Sequence, residues 1–189
     1  IAPSKYIEKV FHNYDYKIQY LPNYIELKNY DFKVRRNCKP KLLWVRSFHK
    51  VYNPKMAIKV LDKLLKIYPN AELCMVGPEK DGMMASTKEL AESLKIRDHI
   101  IFTGLLTKKQ WVDLSSSYDI FINTTNFDNM PVSVMEAMAL GFPIVSTNVA
   151  GLKYLHQDKN DALLINKNDV NAMVSSINDL LNDCELSEL

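Results

Sequence analysis

The sequence contains few glycines and cysteines, and it has no long apolar run. Its five glycines form neither the G-x-G-x-x-G of a dinucleotide site nor the G-x-x-x-x-G-K-S/T of a phosphate loop, which argues against dehydrogenases and P-loop NTPases. The three cysteines, Cys38, Cys74 and Cys184, lie far apart, so they indicate neither a zinc site nor a disulfide framework and suit a reducing compartment. No apolar run reaches the roughly 18 residues of a membrane span.

Charge and catalytic motifs exclude further classes. The 24 Lys and Arg residues and 22 Asp and Glu residues leave a net charge of +2, which is too balanced for the broad basic surface of a general nucleic-acid binder. There is no G-x-S-x-G elbow of a serine hydrolase, and the four histidines show no metal-ligand spacing. A hydrophobic content of 47% in 189 residues is ordinary for one folded domain.

From residue 41 onward, short apolar runs alternate with segments of helical period. This alternation predicts an α/β fold, a Rossmann-like open parallel sheet with helices on both faces. The nearly continuous apolar character of the runs indicates strands that are covered on both sides. The predicted strands are 41–46, 72–76, 99–103, 118–123, 143–147 and 161–165, and an earlier run, 18–25, is a further candidate.

The helices are predicted at 54–67, after Ser86, after Thr107, at 131–140 and at 168–182. Ser86 with Glu89 and Thr107 with Gln110 resemble capping boxes. Asp128 or Asn129 is expected to cap the fourth helix, and Asn168 the last.

The amino-terminal part fits this pattern less well. Residues 1–17 are predicted to be a short helix and connector, the tail of a domain that precedes the Rossmann-like domain at 18–189; the absence of an initiator Met suggests a fragment. Residues 28–50 carry eight Lys or Arg and one acid. We interpret this cluster as a solvated basic loop, with an anion-facing patch or a peripheral membrane contact as the alternative.

In an open parallel sheet, ligands bind beyond the carboxyl ends of the strands. The segment 131–140 lies at that edge and is apolar nearly all round; its polar side chains are Ser133 and Glu136, three residues apart. A carboxylate on a buried helix is costly unless it is paired or faces a wet site. We therefore expect Glu136 to face a solvent-filled groove shared with Arg46, although a satisfied internal carboxylate is an open alternative.

Cations and a helix start complete the candidate site. Arg46 ends the first strand with Lys50 close behind, and a guanidinium suits bidentate contact with phosphate, although an arginine in this position is by itself more often an ordinary surface residue. A helix start favours anions through its unpaired N–H groups. Together these features predict a site for a nucleoside diphosphate ester.

Several motifs resemble the carboxyl-terminal, donor-binding half of a GT-B glycosyltransferase, in particular the retaining family 4 enzymes. The segment 130–151, MPVSVMEAMALGFPIVSTNVAG, resembles the long family pattern GLPxxEAMAxGxPVVATxxGG. The shorter matches are LPNYIEL at 21–27, LLWVRS at 42–47, LCMVG at 73–77 and HIIFTG at 99–104.

The resemblance implies roles for individual residues. Glu136 would bond the ribose hydroxyls, Arg46 would neutralise the phosphates, and backbone amides from Met130 through Pro131 to Val132 would meet the sugar or diphosphate. The other residues assigned to the donor site by the resemblance are Lys50, Gly77, Gly104, Asp128 and Asn129. Gly77 and Gly104 would leave room for the diphosphate and the base respectively. The expected donor is a UDP-sugar, and no metal ion is expected.

The sequence departs from the family at three places. Asp128 stands where the family has a Glu that contacts the donor sugar, Tyr52 where it has a second cation, and Tyr154 near a frequent Glu. The family builds its acceptor site in an amino-terminal domain, so we expect this chain alone to hold nucleotide sugar weakly and transfer nothing. A GT-B sugar-nucleotide epimerase and a degenerate, non-catalytic partner module are the alternatives. A cytoplasmic location, with peripheral contact at the inner face of a membrane, is the corresponding expectation.

Overall fold

The computed structural model describes residues 1–155 and 161–188. Six strands form one sheet in the order β3-β2-β1-β4-β5-β6, and every pairing is parallel. This arrangement confirms the predicted α/β class. The strands are β1 Lys41–Val45, β2 Glu72–Val76, β3 Ile100–Gly104, β4 Ile120–Asn123, β5 Ile144–Thr147 and β6 Leu163–Ile165.

Helices follow most strands and return the chain to the start of the next one. The α-helices are α1 Lys5–His12, α2 Pro54–Leu65, α3 Met83–Ser93, α4 Lys108–Ser115, α5 Val132–Ala139, α6 Leu152–Leu155 and α7 Val170–Asn182. Short 3-10 helices lie at Leu27–Asn29, Lys50–Tyr52, Arg97–His99 and Leu186–Glu188. Among the residues described, none of the helices combines the length and the apolar character that a membrane crossing needs.

The sheet is buried on both faces because alternate strand residues point to opposite sides. In β1, Leu42 and Trp44 join a core with α2 and α7. Leu43 joins the opposite core, which contains Trp111 of α4 and Val134 of α5. The helices on both faces explain why the strands are apolar throughout.

Some helix starts differ from the prediction. Thr107 forms the predicted capping box with Gln110. Ser86 instead lies inside α3, which begins after Gly82, and its hydroxyl donates to the Met83 carbonyl. The last helix is capped by Asp169 rather than Asn168, because the Asp169 carboxylate accepts the Ala172 N–H.

The cap prediction for α5 is also wrong. Pro131 occupies the N-cap position, where it gives no side-chain hydrogen bond, so neither Asp128 nor Asn129 caps this helix. Asp128 accepts the N–H of Met130 within the preceding loop instead.

Residues 18–25 are all described and form no strand. A single parallel bridge pairs Ala2 with Tyr20, and Ala2 is fully buried. Asn23 donates a hydrogen bond to the Met130 carbonyl, so this part of the chain lies against the loop before α5. The division into a tail at 1–17 and a domain at 18–189 stays a prediction.

The basic cluster at 28–50 is not uniformly solvated. Arg35 is 5% exposed and donates to the carbonyls of Lys33, Leu140 and Tyr118. Its guanidinium also lies 3.6 Å from the centroid of the Phe142 ring. Arg35 therefore has a structural role, whereas most of the other cations in the cluster are exposed.

Candidate functional site

The strand order places a crevice between β1 and β4. Consecutive connections leave the sheet in opposite directions at this point, where open parallel sheets bind ligands. Arg46 directly follows β1, and residues 124–131 connect β4 to α5. The edge of the sheet at which the sequence predicted ligand binding therefore brings the end of β1 next to the loop that leads into segment 130–151, the longest match to the family pattern.

A pocket of about 320 Å³ opens beside this crevice. It is bounded by the ends of β1 and β2, the loop after β3 and the first turns of α4 and α5. The lining residues that carry polar or aromatic groups include Arg46, Ser47, Tyr52, Lys108, Trp111 and Ser133.

Arg46 is held on two sides within the pocket wall. Its Nη2 forms an ion pair with the Asp128 carboxylate, and both side chains are 13% exposed. Its guanidinium lies 4.7 Å from the centroid of the Tyr52 ring. Burial lowers the pKa of Arg46, and the charge of Asp128 opposes that shift.

Glu136 does not face an open groove. Its side chain is 4% exposed and forms an ion pair with Lys108. The Tyr30 hydroxyl donates to the same carboxylate oxygen over 2.9 Å. The expectation of a solvent-filled groove at Glu136 is wrong, because two side chains from distant parts of the chain cover the acid. Lys108, and not Glu136, shares the pocket with Arg46.

The backbone amides before α5 are only partly available. The Met130 N–H is already bonded to Asp128 Oδ1 over 3.1 Å, and Pro131 has no N–H. The Met130 N–H is thus occupied within the chain, and the prediction that backbone amides around Met130 to Val132 meet a ligand depends on the amides of α5. The first two N–H groups of α5, those of Val132 and Ser133, have no acceptor within the helix.

The two predicted glycines, Gly77 and Gly104, differ in their surroundings. At Gly77, where φ is +151°, an added Cβ would collide with the backbone oxygen of Arg46. The close approach of two strand ends therefore requires this glycine, which also lines the pocket; the role in leaving room for a diphosphate stays a prediction. Gly104 has a φ of +71°, and an added Cβ there would meet no atom within 4 Å. Gly104 does not line the pocket, whereas the following Leu105 and Leu106 do.

The remaining predicted residues lie around the pocket. Lys50 is exposed in a 3-10 helix and does not line it. Asn129 and Met130 border a small neighbouring cleft, and Val132 borders an apolar depression with Leu21 and Tyr24.

Sequence reasoning missed Tyr30, Lys108 and Trp111. One signal was present for Lys108. The capping box at Thr107 fixes the start of α4, and the following lysine then stands directly after the loop at the carboxyl end of β3. No signal in the sequence connects Tyr30 with α5.

Unpartnered polar atoms concentrate at this edge. In residues 1–155 and 161–188, four buried side-chain atoms have no hydrogen-bond partner: Arg46 Nε, Asn126 Oδ1, Asn129 Oδ1 and Ser133 Oγ. Buried polar groups in folded proteins are nearly always hydrogen-bonded. All four belong to Arg46 or to the segment 126–133, and Arg46 and Ser133 line the pocket.

A buried polar layer holds the surrounding loops. Trp44 Nε1 donates to Thr124 over 3.0 Å, and Thr124 donates to the Tyr52 carbonyl over 2.9 Å. Thr147 donates to the Thr125 carbonyl over 2.6 Å. These bonds tie the loop after β4 to its neighbours on both sides, so the site is built on a rigid support.

The sequence and the fold match those of a known family. Residues 28–188 match the family described as glycosyl transferases group 1, and the chain belongs to that family. Its architecture is that of the carboxyl-terminal domain of a GT-B glycosyltransferase.

Individual proteins are similar to this chain over much of its length. An uncharacterized glycosyltransferase of Haemophilus influenzae is 33% identical over 130 residues, which are 68% of this chain and 36% of that protein. The N-acetyl-alpha-D-glucosaminyl L-malate synthase of Bacillus anthracis is 24% identical over 187 residues, which are 98% of this chain and 47% of the relative.

The crystal structure of Anabaena HepE in complex with UDP and glucose superimposes with a TM-score of 0.87 at 15% identity. The match covers 99% of this chain and 54% of HepE. At that identity the likeness shows the fold alone. This chain thus spans between about a third and about half of the length of these relatives.

Proposed function

We propose that the chain is the donor-binding half of a retaining glycosyltransferase and holds a nucleoside diphosphate sugar, with a UDP-sugar as the default donor. The observation that carries the proposal is the group of buried, unpartnered polar atoms around the pocket, above all Arg46 Nε and Ser133 Oγ. An incoming ligand with several acceptor oxygens would satisfy these donors. The presence of UDP in the similar HepE structure supports the choice of nucleotide.

The proposed contacts follow from the chemistry of the pocket wall. Arg46 would face the diphosphate, together with the free N–H groups of Val132 and Ser133 at the start of α5. A ribose that bonds Glu136 must displace Lys108, whose side chain is 54% exposed and has room to move into solvent.

The expected affinity of the isolated chain is low. A helix terminus contributes about 1 kcal/mol, and Arg46 and the hydrogen bonds of Glu136 to the ribose hydroxyls contribute about 2 kcal/mol each. The total of roughly 5 kcal/mol corresponds to a dissociation constant of about 0.2 mM before the costs of ordering the ligand and of displacing Lys108, which weaken binding toward the millimolar range. We propose that the other half of a longer protein supplies the acceptor site, so that this chain alone transfers no sugar.

A titration followed by NMR tests binding. We expect UDP and UDP-glucose to shift the Ser133 amide and the Arg46 Nε–H signals at low millimolar concentration, while uridine, which has no phosphate, leaves the Arg46 signal in place. An Arg46→Met variant is the matched control and should lose most of the response to UDP. The absence of shifts near Arg46 and Ser133 at several millimolar UDP would contradict the proposal.

Assays of the longer protein distinguish a transferase from the two alternatives, a sugar-nucleotide epimerase and a non-catalytic partner module. A transferase releases nucleotide from the donor only when an acceptor is present, whereas an epimerase interconverts donors without one. A partner module does neither.

A further inference from the structure

We infer that Asp128 is a positioning residue that fixes Arg46 for the diphosphate and makes no contact with the donor sugar. This inference rests on the proposed function. It differs from the role that the resemblance implied for this position, where the family has a sugar-contacting Glu.

Both oxygens of the Asp128 carboxylate are already used within the chain. Oδ2 forms the ion pair with Arg46 Nη2, and Oδ1 accepts the Met130 N–H over 3.1 Å. The side chain is 13% exposed. Because one oxygen contacts a guanidinium and the other a backbone N–H, and because little of the side chain is exposed, this carboxylate is poorly placed to accept hydrogen bonds from the hydroxyls of a sugar.

The length of the side chain explains why an aspartate suits this position. Asp side chains bond the backbone N–H two residues on, in an Asx-turn, and the contact between Asp128 and Met130 has this spacing. A glutamate is longer by one methylene and does not favour that turn. The same carboxylate therefore shapes the loop and directs its second oxygen to Arg46.

The loop that carries Asp128 is itself fixed. The Gly151 N–H donates to the Asp128 carbonyl over 2.9 Å. An added Cβ at Gly151 would collide with the backbone oxygen of Asn129, so the loop lies tightly against the turn after β5. The position of the carboxylate is set by the backbone and not by a flexible side chain.

The Arg46 side chain is therefore held in position, while its Nε–H group has no hydrogen-bond acceptor among the described residues. Asp128 holds Nη2 and the Tyr52 ring lies against the guanidinium, while Nε is buried and has no partner among the described residues. The resemblance implied a second cation near Tyr52, and in this chain an aromatic ring supports the guanidinium instead. The ion pair spans the crevice between the ends of β1 and β4.

A double-mutant cycle tests the inference. Asp128→Asn keeps an acceptor for the Met130 N–H and removes the charge that holds Arg46. The four proteins are the wild type, Asp128→Asn, Arg46→Met and the double variant, and each is titrated by NMR with uridine, UDP and UDP-glucose. Asp113→Asn removes a carboxylate from an exposed ion pair with Lys109 and is the matched control.

We expect Asp128→Asn to weaken the binding of UDP and of UDP-glucose by the same factor, about fivefold. The affinity for uridine should not change. In the Arg46→Met background the same substitution should have no further effect, because Asp128 acts through Arg46. Exchange of the Arg46 Nε–H with water in the ligand-free protein should also become faster in Asp128→Asn, which reports the loss of position without any ligand. Asp113→Asn should change none of these quantities.

A loss confined to UDP-glucose, or a loss that persists in the Arg46→Met background, would show a direct sugar contact and overturn the inference. Tighter UDP binding in Asp128→Asn would also overturn it, because Asp128 would then act as a competing charge. If the wild type binds UDP normally, these results leave the proposed function intact. If the wild type binds no UDP, the proposed function fails and the inference fails with it.

Discussion

Lys108 at the start of α4 forms an ion pair with the buried carboxylate of Glu136 on α5. The Lys108 side chain is 54% exposed and the Glu136 side chain 4%, so a partly solvated cation covers an acid that water barely reaches. The pair joins the loop after β3 to the helix after β4 at the rim of the pocket. Glu136 is therefore a satisfied internal carboxylate.

The cost of uncovering this acid is measurable. Lys108→Met leaves Glu136 with the Tyr30 hydroxyl and little else, and we expect the free energy of unfolding to fall by about 2 kcal/mol. Lys109→Met is the control, because Lys109 pairs with Asp113 in an exposed i,i+4 contact that is worth less than about 0.5 kcal/mol. Urea unfolding of both variants provides the comparison. Equal losses would show that the Glu136 pair is no stronger than a surface ion pair.

Two glycines with positive φ should respond differently to alanine. Gly77→Ala places a Cβ against the Arg46 backbone oxygen, so we expect a loss of about 3 kcal/mol or more. Gly104→Ala meets open space and should cost only the about 1 to 2 kcal/mol of the left-handed conformation. Thermal unfolding of the two variants measures the difference, and a larger loss at Gly104 would contradict the packing at Gly77.

The two predicted capping boxes can be compared directly. Thr107→Ala removes a hydroxyl that accepts the Gln110 N–H, and should lower the free energy of unfolding by about 1 kcal/mol. Ser86→Ala removes a hydroxyl inside α3 that donates to the Met83 carbonyl, and should change stability by less than about 0.5 kcal/mol. If Ser86→Ala proved as costly as Thr107→Ala, α3 would have to begin at Ser86.

The cysteines differ in reactivity. Burial and the Asp119 charge raise the pKa of Cys38 to about 11, so at pH 8 only about one thiol in a thousand is ionised. Burial also raises the pKa of Cys74, whereas Cys184 is exposed. We expect iodoacetamide at pH 8 to modify Cys184 first in the folded protein, with Cys38 reacting faster as the pH rises toward 11. Mass spectrometry of the peptides checks this order, and early modification of Cys38 or Cys74 would contradict it.

The sequence determined most of the fold. Near-continuous apolar runs predicted the six strands within two residues of their observed ends, because strands that are buried on both faces leave no room for polar residues. The single acid of an apolar helix also marked Glu136 as a residue that needs a partner. The capping errors at Ser86 and Asn168 arose because a hydroxyl or amide residue near a helix start is common, while the backbone decides which residue becomes the cap.

Only the tertiary structure determined which side chains pair with Glu136 and Arg46. Glu136 bonds Tyr30 across 106 positions of sequence, and Arg46 pairs with Asp128 across 82. The sequence carries 24 Lys and Arg, and nothing in its local pattern shows which of them covers a given acid. Ion pairs and hydrogen bonds depend on distances of a few ångströms, and the packing of whole helices on the sheet fixes those distances. The sequence therefore identified an acid that requires a partner, and the fold determined that Lys108 and Tyr30 provide it.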